Sequence, residues 1–299
     1  MNYIVATSIN PPTEAIRKFD ALPDWKLLVV GDLKTPLNYH LERGTYVCPQ
    51  EQDKYDKELS KALGWNNVMR RNIGILMAYD LGAEVIALVD DDNIPYENWG
   101  KNLTLGKATM THYYHTDLPA FDPVGAADQC LWHRGFPIQL LAQRDYNWGW
   151  KDITPTVQAD FWDGDPDVDA ICRMEYAPQC VFNHEDFPIA ANKPSPFNSQ
   201  NTFLLREVIP NYFLPPGIPR MEDIWASYYA QAKGARVIYC EASVYQSRNE
   251  HDLTKDLVQE FVGYEKTLRL INDLAESTGL YIKYEPDHGH AFNLYLRHF

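Results

Sequence analysis

The stretch RRNIGILMAYDLGAEVIALVDDDN, residues 70–93, contains a helix pattern, a turn signal, an apolar run and three aspartates in succession. Apolar side chains recur with helical spacing over residues 67–81, and Gly82 suits the cap that ends such a helix. Residues 85–89 are all apolar, which predicts a strand that is covered on both faces. The aspartate cluster then follows directly, and it consists of Asp90, Asp91 and Asp92.

Two more strand patterns precede this stretch. Residues 3–9 are rich in β-branched side chains, residues 11–19 (PPTEAIRKF) predict a short helix, and residues 25–32 (WKLLVVGD) form a second apolar run. Apolar strands that alternate with helices predict an α/β fold with a doubly wound, mostly parallel sheet. In such a sheet the ligand lies beyond the carboxyl ends of the strands, where Asn10, Asp32 and the aspartate cluster are expected to converge.

The aspartate cluster has the chemistry of a metal site. Residues two apart on an extended strand face the same side, so Asp90 and Asp92 can converge while Asp91 points away. Carboxylate oxygens suit Mg²⁺ or Mn²⁺, which take further ligands from a substrate diphosphate. The alternative is that Asp92 or Asn93 caps a helix begun by IPYENW, residues 94–99, with the other aspartates in solvent.

A diphosphate bound by a metal ion at the aspartate cluster could belong to a nucleotide sugar, which would act as the sugar donor. Such a donor needs contacts to its base and to its phosphates. No dinucleotide fingerprint or P-loop is present to provide them. We expect donor contacts from the polar residues near the strand ends, namely Asn10, Asp32, Lys34, Arg70, Arg71, Asp90 and Asp91. Asp32 is suited to accept a hydrogen bond from a base N–H, although an aspartate that favours a turn is an alternative. In this interpretation the basic residues Lys34, Arg70 and Arg71 contact the diphosphate. The alternative for Arg70 and Arg71 is that they are solvated charges on the surface of a helix.

Two later segments are candidates for the chemistry. RMEDIW, residues 220–225, places Glu222 and Asp223 after a proline-rich loop, where a carboxylate can take a proton from an acceptor hydroxyl. A salt-bridged helix start is the alternative there. His251 is a further candidate metal ligand, although a lone histidine before a helix is commonly a surface residue.

Composition limits the class of partner and the cellular location. The 299 residues carry a net charge of -14, which argues against nucleic acid because binding to phosphates along a strand requires many basic groups. The five cysteines are scattered and form no C-x-x-C pair, so reduced thiols are expected. We find no apolar stretch that could span a bilayer and no secretory signal, and we therefore expect a cytoplasmic protein.

The second half of the chain has weaker patterns. Residues 132–219 are rich in aromatic, Pro and Asn residues without clear periodicity, which is typical of a binding surface or of an irregular core. Residues 236–239 predict a strand, and residues 253–277 predict a closing amphipathic helix. Its spaced apolar positions are Leu257, Phe261, Tyr264, Leu268 and Ile271.

Seven segments, taken in order, resemble the STELLO-type glycosyltransferase family. They are TSINPPTEAI, WKLLVVGDLKTP, RRNIGILMAYDLGAEVIALVDDDN, RGFPIQLL, DGDPDVDAI, PFNSQNTFL and RNEHDLTKD, and the resemblance spans residue 7 to about residue 256. DDDN and RMEDIWASY are more distantly similar to the reversibly glycosylated polypeptides, which include UDP-arabinopyranose mutases. Plant STELLO proteins carry a membrane anchor and act in the Golgi, and we do not extend that location to this chain.

The resemblance implies a GT-A glycosyltransferase fold with an acceptor-side extension and a C-terminal helix. We expect one domain over residues 1–299, with a nucleotide-sugar and metal half (1–125), an acceptor half (126–252) and a C-terminal helix and tail (253–299). The family pattern implies that Asp90 and Asp92 bind Mn²⁺ or Mg²⁺ and that a UDP-sugar is the donor. It also places Asp32 against the base and Asp223 as the general base of an inverting enzyme.

The leading hypothesis is therefore a metal-dependent glycosyltransferase that moves a sugar from a nucleoside diphosphate to a hydroxyl of a glycan or other acceptor. A second hypothesis is a UDP-sugar mutase or self-glycosylating protein, in which Arg134 or Arg144 could carry the sugar. A third is an inactive GT-A domain that binds glycans or acts as a scaffold. The sequence leaves the oligomeric state open.

Overall fold

The computed structural model describes residues 1–247, 252–276 and 286–299. His251, a predicted metal ligand, lies outside the described residues. The strands are β1 (Asn2–Thr7), β2 (Trp25–Val30), β3 (Thr45–Val47), β4 (Val85–Asp90), β5 (Asn93–Pro95), β6 (Thr109–His115), β7 (Asn147–Ile153), β8 (Val157–Gly164), β9 (Ile189–Ala191), β10 (Asn201–Leu205) and β11 (Val237–Gln246). The helices are α1 (Glu14–Asp20), α2 (Pro49–Tyr55), α3 (Lys57–Leu63), α4 (Arg71–Asp80), α5 (Pro123–Ala127), α6 (Ala170–Tyr176), α7 (Glu222–Ala232), α8 (Leu253–Glu276) and α9 (Pro286–Leu296).

One sheet runs through the molecule in the order β3-β2-β1-β4-β10-β8-β11-β9-β6-β7, and β5 pairs with β11. The first four strands are parallel, β10 runs antiparallel between β4 and β8, and β8 is parallel to β11. Most strands therefore run in one direction, and helices α1 and α4 pack against the parallel part. The predicted α/β architecture with a doubly wound, mostly parallel sheet is confirmed, and it agrees with the GT-A expectation.

The register of the parallel strands sets the position of the site. Thr7 at the end of β1 lies beside Val30 at the end of β2 and beside Asp90 at the end of β4. The three strands therefore stop at the same level. The loops that follow them emerge together at one edge of the sheet, as the sequence predicted.

Helix α4 forms where the sequence predicted a helix, with small changes at both ends. Residues Val68–Arg70 make a 3-10 turn, and α4 begins at Arg71. At the other end the N–H of Gly82, which has a φ of +80°, donates to the carbonyl of Tyr79 at 3.0 Å. A residue with positive φ after the last turn is the usual helix terminator, so the predicted role of Gly82 is confirmed.

The alternative that residues 94–99 form a helix capped by Asp92 or Asn93 is wrong. Asn93–Pro95 is strand β5, and it pairs antiparallel with the end of β11. The pairing of this segment with a strand about 150 residues away is a tertiary contact, which local propensity does not encode.

Helix α8 is present as predicted, but its buried face is different. The buried positions are Asp256, Glu260, Gly263, Thr267, Leu270, Ile271 and Leu274. Of the predicted apolar positions only Ile271 is buried, and Phe261 is 63% exposed. The reason is that Arg220 binds Glu260 at 2.8 Å and Asp256 at 3.4 Å, so two carboxylates occupy positions that the apolar pattern assigned to solvent.

None of the helices in the described part of the chain combines the length and the apolar character that crossing a membrane requires.

Candidate functional site

The loops after β1, β2 and β4 surround a crevice with two adjoining cavities. The first has a volume of about 350 Å³ and the second about 210 Å³, and Asp90 and Val68 line both. We call them the donor cavity and the acceptor cavity, after the roles that the sequence predicts for the residues that line them. Asp90, at the end of β4, is therefore the residue at which the two meet.

The donor cavity is lined by residues from all three strand ends. They are Thr7, Ser8, Ile9, Asn10, Val30, Asp32, Asn66, Asn67, Val68, Arg70, Asp90 and Asp91. Asp32 is buried, and its carboxylate accepts hydrogen bonds from the N–H groups of Leu33 (2.6 Å), Asn66 (2.8 Å) and Asn67 (3.1 Å). Because Asn66 has a positive φ of +59°, this carboxylate holds a strained loop against the cavity wall.

Asp91 belongs to the donor cavity. Its Oδ2 accepts hydrogen bonds from the Ser8 hydroxyl and, at 3.1 Å, from the Asn10 side-chain amide. Asp92 instead lines the acceptor cavity together with Asp90. Asp90 and Asp92 thus share a cavity that Asp91 does not line. The predicted reason, alternation along an extended strand, is wrong, because β4 ends at Asp90, and Asp91 and Asp92 lie in the turn before β5.

Arg71 binds Asp90 from the protein interior. Its Nη2 lies 2.6 Å from Asp90 Oδ1, and the arginine side chain is fully buried while that of Asp90 is 28% exposed. Arg71 also donates to the carbonyl of Val89 at 3.1 Å and to the carbonyl of Ser199 at 2.6 Å. Burial raises the pKa of Asp90, and the charge of Arg71 opposes that rise. Arg71 therefore holds the side chain of Asp90 next to Ser199, which lies two residues before β10.

The other basic candidates lie in different surroundings. Arg70 is 1% exposed, donates to Gln52 Oε1 and to the carbonyl of Ser60 (both 2.8 Å), and stacks 3.7 Å from the ring of Trp65. Lys34 is exposed on the turn after β2 and lines neither cavity. The alternative of solvated arginines on a helix surface is wrong, because Arg70 and Arg71 are buried and their terminal nitrogens donate to acceptors inside the protein.

The acceptor cavity is rich in charged side chains. It is lined by Val68, Asp90, Asp92, Arg134, Asp167, Ser199, Gln200, Arg220, Glu222, Asp223 and Gln246. Helix α7 begins here, and its first two residues are Glu222 and Asp223. The residue before its cap, Arg220, has a φ of +61°, a conformation that is uncommon for a side chain of this size.

The two neighbouring carboxylates of α7 differ sharply in their contacts. Asp223 accepts hydrogen bonds from the N–H groups of Ser199 (3.0 Å) and Ile224 (2.9 Å), and Arg134 lies 3.4 Å away. Glu222 is 7% exposed, and its Oε2 has no hydrogen-bond partner. Burial, helped by the charge of Asp223, raises the pKa of Glu222 to about 7. Glu222 is thus the carboxylate with an available oxygen and a pKa near neutrality.

Asp167 is a site residue that the sequence did not single out. It is fully buried, and Arg134 binds it through two parallel hydrogen bonds of 2.8 and 2.9 Å. The side-chain amide of Asn198 donates to the same carboxylate at 2.8 Å. The DGDPDVDAI motif contains Asp167, but only the fold distinguishes this aspartate from the three others in the motif.

The two arginines that were candidates to carry a sugar are both engaged by carboxylates. Arg134 is held by Asp167, and this contact and Asp223 keep the pKa of its guanidinium above its usual value although burial lowers it. Arg144 binds Asp122 at 2.8 Å and does not line the crevice. A protonated guanidinium is a poor nucleophile, so these contacts give no support to self-glycosylation at either residue.

The residues of the crevice fit a divalent cation that shares its ligands with a substrate. Within the described ranges no group of three or more His, Cys, Asp or Glu side chains is arranged to hold a metal ion. Asp90 and Asp92 supply hard oxygen atoms to one cavity. Mg²⁺ is commonly bound by one or two carboxylates with waters and substrate phosphates as the other ligands, and Mn²⁺ accepts the same oxygen donors.

Comparison with known proteins supports the resemblance that the motifs suggested. No family model matches the chain. Two Arabidopsis thaliana proteins named probable glycosyltransferase STELLO2 and STELLO1 are each 20% identical to it, over 251 and 253 residues respectively. The chain resembles the STELLO-type glycosyltransferases. The matched part is 77% of this chain and 33% of either relative, so the chain spans about a third of the length of the curated proteins that it matches.

Solved structures give more distant likenesses. Glucosyl-3-phosphoglycerate synthase from Mycobacterium tuberculosis, in complex with Mn²⁺, UDP and phosphoglyceric acid, is 10% identical with a TM-score of 0.49, over 91% of this chain and 78% of that one. TarS from S. aureus, residues 1–349 in complex with UDP-GlcNAc, is 11% identical with a TM-score of 0.41, over 100% and 81%.

Proposed function

We propose that this chain is a metal-dependent glycosyltransferase of the GT-A type, which moves a sugar from a nucleoside diphosphate, most simply UDP, to a hydroxyl of a glycan or other acceptor. The observation that carries the proposal is the crevice itself. It brings the aspartate cluster from the end of β4 next to the carboxylates at the start of α7, with a cavity on each side of Asp90. The resemblance to STELLO-type proteins supports the same activity.

We assign the nucleotide to the donor cavity. Asn10, Asp32 and Asp91 would contact the base and ribose, and their shared position in the lining of that cavity supports this assignment. Asp90 and Asp92 would hold Mn²⁺ or Mg²⁺ as a DXD pair. The ion would supply charge stabilisation to the departing diphosphate. Arg70 and Arg71 act as positioning residues in this proposal, because their guanidinium groups are bonded within the protein.

We assign proton removal to Glu222. The acceptor hydroxyl would give its proton to Glu222 Oε2 while its oxygen forms a bond to the anomeric carbon, and the bond from that carbon to the diphosphate oxygen breaks. UDP leaves with the electron pair of that bond. Asp223, which already accepts two backbone hydrogen bonds, would position Arg134 and Ser199 around the sugar.

The domain boundaries are part of the proposal. Residues 1–125 would bind the donor, residues 126–252 would bind the acceptor, and residues 253–299 would brace the acceptor side. The single sheet that continues across position 125 supports one domain.

A cytoplasmic location is proposed as well, and the five free cysteines support a reducing compartment.

Calorimetry with UDP and Mn²⁺ tests the proposal most directly. We expect UDP binding that depends on Mn²⁺ or Mg²⁺, together with slow release of UDP from at least one UDP-sugar. Asp92→Ala should abolish the metal-dependent part, whereas Asp24→Ala, at an exposed aspartate outside both cavities, should leave it unchanged. If no common nucleotide sugar binds or is turned over, and Asp92→Ala binds metal as the wild type does, the proposed function is wrong.

A further inference from the structure

Strand β7 is an open edge of the sheet. Among the described residues it pairs with β6 only, and it ends the strand order. Residues 147–152 are all exposed. The outer side of β7 therefore presents backbone N–H and C=O groups to solvent over most of its length. Natural proteins usually protect such an edge, because it is a template for pairing with another strand.

The same strand exposes two large aromatic side chains on one face. Trp148 is 49% exposed and Trp150 is 64% exposed, and the His112 ring of β6 lies 4.3 and 4.5 Å from their rings. Met110, two residues before His112 on β6, is 52% exposed. We call this set the tryptophan face. Exposed apolar surface with two indoles is typical of an interaction site.

The geometry of the two indoles favours a protein partner over a sugar chain. Their ring centroids are 5.3 Å apart, and the ring planes meet at 85°. Successive sugar rings stack on aromatic side chains that lie roughly in one plane, and this pair does not provide such a platform. The exposed backbone of β7, in contrast, is suited to pairing with another extended chain.

We propose that β7 pairs antiparallel with β7 of a second copy of this chain, about a two-fold axis at Gly149. A two-fold interface uses the same surface of both copies, so the surface must be complementary to itself. Pairing centred on Gly149 sets Trp148 of each copy opposite Trp150 of the other. It also sets Lys151 opposite Asn147 of the second copy, so that no two like charges of β7 face each other. A Cβ added at Gly149 meets nothing within 4 Å, so the centre of the strand is open to a neighbour.

The pairing has a consequence for the other face of the hairpin. Lys151 and Ile153 alternate with the tryptophans and line a cavity of about 910 Å³, to which Lys193 and Arg236 also contribute. A second copy joined at β7 lies against the rim of this cavity. The dimer is independent of the proposed glycosyltransferase activity, because β7 lines neither the donor nor the acceptor cavity.

Sedimentation velocity tests the interface in solution. We expect the wild-type chain to be a dimer at micromolar concentration and Trp148→Lys/Trp150→Lys to be a monomer with an unchanged far-ultraviolet circular dichroism spectrum. Leu37→Lys, a control at a leucine that is 97% exposed on another surface, should remain dimeric. A wild-type monomer overturns the proposal, and so does a dimer that persists in the double variant.

Cross-linking tests the position of the axis without relying on a disruptive change. Opposed residues of antiparallel strands have Cα atoms about 4.5–5.5 Å apart, which is within the reach of a disulfide. Gly149→Cys should therefore form a reducible dimer on oxidation, while Leu37→Cys and the wild type, whose Cys130 is exposed, should not. Cross-linking no faster than in these controls overturns the pairing. A monomer whose tryptophan fluorescence shifts with added oligosaccharides also overturns it, and assigns the tryptophan face to a glycan.

Discussion

Glu222 and Asp223 are adjacent in sequence and share one cavity, yet the fold gives them different chemistry. Asp223 is bonded to Ser199 and Ile224, whereas Glu222 Oε2 accepts no hydrogen bond. Both oxygens of Asp223 are thus engaged by donors, whereas Glu222 Oε2 is available to accept a proton. The family resemblance implied Asp223 as the base, and the contacts favour Glu222 for that role.

The two carboxylates can be separated by their pH profiles. Glu222→Gln should lower kcat by about 10²- to 10⁴-fold, the usual effect of removing a general base. In the wild type, activity should rise with pH and reach half its maximum near pH 7, because burial raises the pKa of Glu222 to about 7. Asp223→Asn should also lower activity but keep this rise. Initial rates of UDP release between pH 5 and pH 9 measure both effects, and an unchanged profile in Glu222→Gln would return the role to Asp223.

The same residue should limit stability above neutral pH. The pKa of Glu222 is raised from 4.5 to about 7 by burial and by Asp223, while Arg134 and Arg220 oppose the rise. The folded state therefore binds a proton more tightly than the unfolded state, and stability is lost as pH increases from about 4.5 to about 7. Glu222→Gln removes this loss.

Urea unfolding at pH 5 and pH 8 measures this difference. Between pH 5 and pH 8 the wild type should lose on the order of 3 kcal/mol of its free energy of unfolding, since each pKa unit corresponds to about 1.4 kcal/mol. The variant should not show this loss. The control is Glu185→Gln, at an exposed carboxylate outside the crevice, which should show the same loss as the wild type. An equal difference at both pH values would mean that Glu222 is not held in its protonated form by the fold.

At the scale of elements, α8 is attached to the start of α7 by buried ion pairs. Arg220 donates to Glu260 Oε1 at 2.8 Å, and Glu260 Oε2 accepts from the N–H of Ala170 and the hydroxyl of Tyr264, both at 2.7 Å. Glu260 is fully buried. This one carboxylate therefore joins α6, α7 and α8 behind the acceptor cavity.

Removal of that carboxylate should be costly. Glu260→Ala leaves Arg220 and the N–H of Ala170 without their acceptor, and breaking a buried pair in this way costs about 3–5 kcal/mol. Chemical denaturation measures the loss. Glu265→Ala, at an exposed position of the same helix, is the matched control and should change stability by less than about 0.5 kcal/mol. Similar losses in the two variants would indicate that helix propensity, and not the ion pair, determines the effect.

Helix α4 lies close to the sheet because residue 74 is glycine. A Cβ at Gly74 would lie 2.6 Å from a methyl group of Val30 and 2.6 Å from one of Val5. Gly74→Ala should therefore destabilise the protein by about 1–3 kcal/mol through overpacking, although alanine is the better helix former. Thermal unfolding checks the prediction. A stabilised Gly74→Ala variant would show that α4 can move away from β1 and β2.

At the scale of the whole molecule, one sheet connects the donor side to the acceptor side. We expect a single cooperative thermal transition, because β4 pairs directly with β10 and β10 with β8 across the proposed boundary between the halves. UDP with Mn²⁺ should raise the midpoint of this transition, with about 2.7 kcal/mol of stabilisation at a ligand concentration 100 times Kd. Differential scanning calorimetry measures both quantities. Two separate transitions, of which only one responds to UDP, would show that the halves are independent domains.

The sequence by itself determined the parallel part of the fold and the location of the crevice. Residues 3–9, 25–32 and 85–89 are apolar runs bounded by turn residues, and such local patterns predict strands without knowledge of their neighbours. The short strands between residues 109 and 205 were not predicted, because their burial depends on distant partners. The apolar pattern also predicted helix α8 but gave the wrong buried face, since the ion pairs of Asp256 and Glu260 are not encoded by hydrophobicity.

Only the tertiary structure decided what each polar residue of the crevice can do. The spacing in sequence placed Asp90, Asp91 and Asp92 at a strand end. Contacts with Arg71, 19 positions away, and with Ser8 and Asn10, more than 80 positions away, then separated the environments of Asp90 and Asp91. Arg70 and Arg71 look alike in the sequence, but the fold buries both guanidinium groups against different acceptors. The distinction between Glu222 and Asp223 arises in the same way. Burial and hydrogen-bond partners are properties of the folded chain, so the sequence determined which groups are present, and the fold decided which of them can react.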